Sequence, residues 1–285
     1  MRFRKLMFLA VAVLWSSSAY AQQAMQPLTY WSEYAVKPGK DGEFLDVVKT
    51  VGQPVRDKLM ADGVILAWGL EAQVLRGHDV LTHAIWYVVA DWASIEKVQG
   101  AMAAQMAKLN DEAKASQGAA KKGQKPAMSI TERIAEIIDA DKTKDFVTRD
   151  LVFVTGSGPM AAGTVPYVRY NFTKVKPGKG GDYRDAWEKY NKPVLEKLVA
   201  DGTILAYGLA IEEVKTTGDF THYTWYGVKS MDAFDKIRSA FNADREHRSK
   251  EERDSISAAF LNATDPDASR SEIERSLIFH VPGPK

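Results

Sequence analysis

Residues 36–40 read VKPGK, and so do residues 175–179. The same shift of 139 carries Ala61-Asp62-Gly63 onto Ala200-Asp201-Gly202 and Ile65-Leu66-Ala67 onto Ile204-Leu205-Ala206. It also carries Thr82-His83 onto Thr221-His222 and Trp86-Tyr87 onto Trp225-Tyr226. Without a gap, 25 of the 63 positions from Val36 to Val98 are identical. Identity at that density over that length reads as one module written twice. After Val98 the register is lost, and Leu151-Val152-Phe153 meets Leu277-Ile278-Phe279 at a shift of 126, so the second copy is 13 residues shorter there. Gly156 to Pro166, GSGPMAAGTVP, is small-residue and proline-rich and reads as a linker. The predicted division is a leader at 1–21, a first repeat at 22–157, a linker at 158–166 and a second repeat at 167–285.

Each copy parses alike. Tyr30 to Val36 and Tyr167 to Val175 are aromatic and β-branched, which predicts strands. After the KPGK turn, Phe44, Val47, Val51, Val55 and Leu59 recur at helical spacing, and Tyr183, Ala186, Tyr190, Val194 and Leu198 repeat it. Pro54 and Pro193 predict a kink or a second helical segment. Gly63 and Gly202 predict left-handed helix ends. Two strands follow, Val64 to Leu75 and Leu81 to Val89, with a tight turn at Arg76 to Asp79. A second helix starts near Ala93, Ala113 to Pro126 reads as a loop, and short strands close the copies at Asp150 to Val154 and Ser276 to Val281. The order is β-α-β-β-α-β, the ferredoxin-like unit.

Such a unit packs both helices on one face of its sheet and leaves the other face needing a partner. Two copies in one chain meet that need by packing sheet to sheet. The element order, the VKPGK turn and the ADG-x-ILA stretch resemble the dimeric α/β-barrel superfamily, which includes antibiotic-biosynthesis-type monooxygenases, haem-degrading monooxygenases, EthD-like and NIPSNAP-like proteins. The resemblance spans both repeats. It implies an α+β fold of two ferredoxin-like repeats forming an intrachain pseudo-dimeric α/β barrel, as a monomer with an internal pseudo-twofold axis or as a homodimer. It is specific for fold and not for chemistry, because one frame hosts many activities.

The duplicated Thr-His-x-x-Trp-Tyr supplies the candidate site. Alternate strand residues share a face, so His83 and Tyr87 lie together while Thr82 and Trp86 point the other way, and one set lines the space between the sheets. His83 and His222 have two readings: a proton-transfer or haem-ligating imidazole in each half, or a histidine satisfied by its neighbours. Trp68, Tyr207, Trp86, Trp225, Tyr87 and Tyr226 are the predicted ligand-binding rings for a small apolar or aromatic molecule, against a reading in which they fill the barrel. Small residues at Ala67, Gly69, Ala206 and Gly208 suggest close approach of a helix. Ala84-Ile85 has become Tyr223-Thr224, so one working site is expected rather than two.

Other patterns carry less. Gly178-Lys179-Gly180-Gly181 lacks the ending of a phosphate loop, and Gly156-Ser157-Gly158 lacks the spacing of a nucleophile elbow. Glu33, Glu71, Glu212 and Glu213 fall on predicted strands, with no carboxylate pair repeated between the halves. His247 stands alone in a mixed-charge run, and no histidine pair has metal-ligand spacing. No metal site is predicted and no cofactor is required. The resemblance implies a cofactor-independent monooxygenase-like enzyme, a haem protein with one of the two histidines as axial ligand, or a non-catalytic interaction module.

Composition narrows the classes further. Lys+Arg number 38 against 37 Asp+Glu, which leaves no basic surplus for a nucleic-acid backbone. With no Cys there is no disulfide and no thiolate chemistry. The chain opens with Arg2, Arg4 and Lys5, continues through the apolar run Leu6 to Trp15 and reaches Ala19-Tyr20-Ala21, the pattern of a secretory signal peptide. Cleavage there leaves 35 basic against 37 acidic side chains. The expectation is a periplasmic or secreted protein starting at Gln22, with no membrane segment after cleavage.

Overall fold

The strands form one closed ring. The computed structural model describes residues 26–75, 81–119, 128–156, 165–216 and 218–280. The predicted leader, the turn at Arg76 to Asp79 and residues 158–164 of the linker lie outside them. The first half runs β1 (Leu28–Val36), α1 (Asp41–Val47), α2 (Gln53–Ala61), β2 (Ile65–Gln73), β3 (His83–Val89), α3 (Trp92–Ala119), α4 (Ile130–Ile137) and β4 (Ile138–Thr155). The second runs β5 (Tyr167–Val175), α5 (Gly180–Tyr190), α6 (Lys192–Ala200), β6 (Ala206–Glu212), β7 (His222–Val228), α7 (Asp232–Glu246), α8 (Lys250–Ala263) and β8 (Thr264–His280). Each half therefore has the predicted order, with every helical position split in two.

The splits have local causes. A π-helical turn at Val48–Gly52 joins α1 to α2, and Pro54 and Pro193 sit in the first turns of α2 and α6, where their missing N–H costs nothing. Gly63 and Gly202 follow those helices at φ +74° and +77°, the left-handed region that a side chain disfavours. Ser129 and Ser249 open α4 and α8 with reciprocal bonds to Glu132 and Glu252.

Two expectations about element bounds are corrected. Residues 113–119 continue α3 rather than forming a loop. The closing strands begin at Ile138 and Thr264, not near Asp150 and Ser276. Charged residues on the outward face of 138–150 hide the strand alternation. Residues 138–149 of β4 pair with β1, and residues 148–155 then pair with β6. One long strand thus serves two neighbours.

The ring order is β1-β3-β2-β8-β5-β7-β6-β4, with β4 returning to β1 and every pair antiparallel. The halves are arranged as β4-β1-β3-β2 and β8-β5-β7-β6. They join edge to edge through β2–β8 and β4–β6, so no strand edge is left open. The eight helices pack outside. Alternation along each strand sends one set of residues to the helices, including Trp68, Leu70 and Tyr87 in the first half and Tyr207, Leu209 and Tyr226 in the second. The other set fills the lumen, including Trp31, Trp86, Tyr170, Phe172, Tyr223 and Phe279.

Gly69 and Gly208 lie on the lumen side. They are small because the Trp86 and Trp225 indoles lie across them, not because a helix approaches. A Cβ on Gly69 would stand 2.6 Å from Trp86 Cζ2 and 2.9 Å from the Ile278 carbonyl oxygen; one on Gly208 would press on the Trp225 indole and stand 2.9 Å from the Val152 carbonyl oxygen. Backbone oxygens in a closed barrel cannot yield cheaply. Gly69→Ala and Gly208→Ala should each cost about 1–3 kcal/mol by denaturant unfolding, and an unchanged midpoint would contradict this packing.

Candidate functional site

The repeated threonine and histidine form a strand clamp. The Val36 backbone N–H donates to Thr82 Oγ1 at 3.0 Å, and the Val175 N–H donates to Thr221 Oγ1 at 2.9 Å, tying the end of the first strand of each half to its neighbour. The same hydroxyls lie 3.0 Å from His83 Nδ1 and 2.9 Å from His222 Nδ1. His83 is buried against Phe44 at 5.0 Å, and its Nε2 is 3.7 Å from Asp41 Oδ1. His222 packs on Tyr183 at 5.3 Å, and burial pushes its imidazole down to about 4. Both rings face helices, and neither lines the lumen.

The six predicted ligand-binding rings divide between the two faces. Trp86 and Trp225 point into the lumen, whereas Tyr87, Tyr226, Trp68 and Tyr207 point to the helices. Trp68 and Tyr207 are fully buried there as core, a correction to their reading as rings bordering a cavity between the sheets. The strand period of two decides this: residues 68 and 69, or 207 and 208, cannot share a face.

Tyr226 does border a space, on the helix side of the second half. A cleft of about 690 Å³ lies between β5–β7 and the helices α5, α7 and α8. Its helix wall is aromatic: Tyr183, Trp187, Phe234, Phe241 and Phe260. Its sheet wall is polar: Arg169, Asn171, Thr173, Thr224 and Tyr226. These wall residues are ordered by one another. Arg169 Nε donates to Asn171 Oδ1 at 3.2 Å, Ser271 Oγ donates to the same oxygen at 2.8 Å, and Asn171 Nδ2 donates to Thr224 Oγ1 at 3.4 Å. Burial raises the Tyr226 hydroxyl above its ordinary range, with the Arg169 charge and hydrogen bonding to Arg169 and Asn171 opposing that rise. Arg238, at the cleft, is held by Asp235 at 2.9 Å. Arg169 makes no ion pair among the described residues, and the acidic residue that also lines the cleft, Asp235, is engaged with Arg238.

The first half fills the corresponding space. At the shift of 139, Arg169 corresponds to Tyr30, Thr173 to Tyr34, Thr224 to Ile85 and Phe241 to Met102. Tyr30 stacks on Tyr87 at 5.0 Å, Tyr34 packs on Phe44 at 5.3 Å, and only about 100 Å³ remains, bordered by Met102 and Met106. Where the second half has Thr173 and Thr224 the first has a ring and a branched aliphatic, and where it has Arg169 the first has the Tyr30 ring, which closes the space. The sequence reading missed Arg169, Asn171, Trp187 and the three phenylalanines. Its one usable signal was the divergence at Thr224, which extends to β5 when β1 and β5 are compared position by position.

No protein-family model matches the chain, and no curated protein matches it in sequence. Solved structures do match in shape. A provisionally designated monooxygenase of Fusobacterium nucleatum subsp. nucleatum superposes with a TM-score of 0.55 at 13% identity, over 91% of this chain and 96% of its own. Another from Lactobacillus acidophilus gives 0.53 at 9% identity, over 90% and 97%. An anthrone oxidase-like protein gives 0.50 at 10% identity, over 91% and 94%. At these identities the likeness is one of fold. The chain has the dimeric α/β-barrel fold, closed here within a single polypeptide.

Proposed function

We propose that the second-half cleft binds one flat aromatic molecule per chain, its ring between the aromatic helix wall and the sheet and its oxygen on Arg169. The carrying observation is a guanidinium without an ion pair on the sheet wall of an aromatic-walled cleft of about 690 Å³, within the range of about 300–1,000 Å³ typical of small-molecule sites. A guanidinium stabilises a phenolate or enolate oxygen by charge-assisted hydrogen bonds. That property suits the oxidation of an electron-rich aromatic compound by molecular oxygen without a cofactor, the reaction class in keeping with the monooxygenase and anthrone oxidase-like names among the structural neighbours. Neither His83 nor His222 lines the cleft or the lumen, so this reading gives neither a proton-transfer role. Thermal unfolding with anthrone, 1-naphthol and 1-naphthoate tests the binding, since a ligand of the folded state raises the midpoint with concentration. No shift with any of the three would refute it, and oxygen uptake with anthrone separates an enzyme from a binding or interaction module.

The haem reading is less well supported. Among the described residues, none of the histidines lines either the cleft or the lumen. His280 is bonded through Nδ1 to Asp57 at 2.9 Å, outside both spaces.

We further propose that the chain is exported and that its halves arose by tandem duplication. Export rests on the basic, apolar and Ala-x-Ala run at its start. Among the described residues no helix is long and apolar enough to cross a membrane. Protein recovered from its native host should begin at Gln22 by N-terminal sequencing, and retention of Met1 on exported molecules would exclude cleavage. Duplication rests on the 25 identities and the matched element order.

A further inference from the structure

The barrel lumen holds a second space of about 240 Å³, separate from the cleft. Trp31, Trp86, Trp225 and Phe279 wall it, and two carboxyls reach it, Glu71 from β2 and Asp150 from β4. These acids occupy matching places in the ring. Glu71 stands opposite Ser276 on the β2–β8 seam, and Asp150 stands opposite Ala210 on the β4–β6 seam. Glu71 lies beside the Trp86 indole and Asp150 beside that of Trp225. Each seam thus carries one acid and one tryptophan, although the acids come from strands that are not equivalent in the repeat.

A third carboxyl, Glu274, lies behind Glu71, in a smaller neighbouring space bordered by Glu33, Phe146 and Phe172 rather than in this one. Glu274 is 5% exposed and lies against Glu71, and its Oε2 has no hydrogen-bond partner. Tyr170 donates to Glu71 Oε2 at 2.9 Å, and the Tyr223 hydroxyl is 3.1 Å from Thr148 Oγ1, so the floor is ordered. Among the described residues no Lys or Arg lines this space. Burial pushes Asp150 up to about 7 and, with mutual repulsion, holds Glu274 well above the ordinary carboxylate range, because the protein supplies no cation to them. Gln26 and Phe153, both exposed, line the end that meets solvent.

Ionised carboxyls accept hydrogen bonds and cannot donate them, and indole faces attract cations. We infer that the lumen binds a small organic ammonium ion, its N–H groups on Glu71 and Asp150 and its alkyl part against the tryptophans. A neutral molecule of the same shape would gain no ion pair from these acids, which keep their protons more readily in its presence. Calorimetry and thermal unfolding at pH 8 with pentylamine and cadaverine, against 1-pentanol and 1,5-pentanediol, test this. The amines should bind at least tenfold more tightly than the alcohols and raise the midpoint with concentration. Asp150→Asn and Glu71→Gln, checked for folding by circular dichroism, should each weaken amine binding at least tenfold. A Thr173→Tyr/Thr224→Ile chain, altered only in the cleft, should bind the amines normally. Alcohols matching the amines, alkali metal ions reproducing their effect, or no amine binding to the wild type would each overturn the inference.

Discussion

Exchanging Thr173 for Tyr and Thr224 for Ile, the residues that close the first half, should abolish aromatic ligand binding while the chain still folds. The exchange places in β5 and β7 the side chains that β1 and β3 already carry at Tyr34 and Ile85. The first half packs those residues around a remnant of about 100 Å³, so the barrel tolerates them in that setting. A ring excluded from its cleft should lose at least a hundredfold in affinity. Arg169→Ala probes the polar side of the same site. Losing a charge-assisted hydrogen bond costs about 1.5–3 kcal/mol, or roughly ten- to a hundredfold for 1-naphthoate. Naphthalene, which has no oxygen, should bind Arg169→Ala about as well as wild type. If both ligands weakened equally, Arg169 would be holding the cleft open rather than reading the ligand.

The second large effect concerns pH. Burial pushes Glu33 and Asp150 up to about 7, Glu33 further raised by Glu272 and lowered in part by Arg270 and Lys144. Between the ordinary carboxylate range and pH 7, the folded chain keeps protons that the unfolded chain has lost. Stability therefore falls as pH rises through that window, and the deficit is complete above it. His222, lowered to about 4, acts in the opposite sense: stability is lost as pH falls from 6.5 toward 4, where the unfolded chain takes up the proton first. Between pH 6.5 and 8 the carboxyls act without that opposition, and the melting temperature should drop. Asp150→Asn should stabilise the chain by about 1–3 kcal/mol at pH 8, less than the full value of a pKa shift of this size at about 1.4 kcal/mol per unit, and by less than half as much at pH 5. An equal effect at both pH values would mean that Asp150 does not titrate in this window.

These two effects sit where the sequence was least legible. The repeat, the order of elements and the split at Pro54 and Pro193 could be read from residue spacing, because turns and helix periods are local. Which face of β3 and β7 met the lumen could not. Period two separates His83 from Trp86 without saying which side is inside, and the conspicuous histidines lie on the helix side, against Thr82 and Thr221. The cleft escaped notice because it is made by what the second half lacks, the rings at Tyr30 and Tyr34. The lumen acids escaped because a comparison of equivalent positions pairs Glu71 with Ala210 and Asp150 with Ser276. Their correspondence exists only across the seams, once β2 meets β8 and β4 meets β6.

Buried size also misled. Trp68 and Tyr207 look like cavity rings by composition, yet they anchor the helix layers. Trp68 Nε1 donates to Asp57 at 3.0 Å, and Tyr207 packs on Trp187 at 6.1 Å. Aromatic residues on a strand report burial, and only the register of the closed barrel tells core from pocket.

Titration calorimetry of 1-naphthoate against the wild type and the Thr173→Tyr/Thr224→Ile chain tests the central claim most directly. The account predicts one site per wild-type chain and no measurable binding to the folded double variant. Two equivalent sites per chain, or an unchanged titration in the variant, would contradict it.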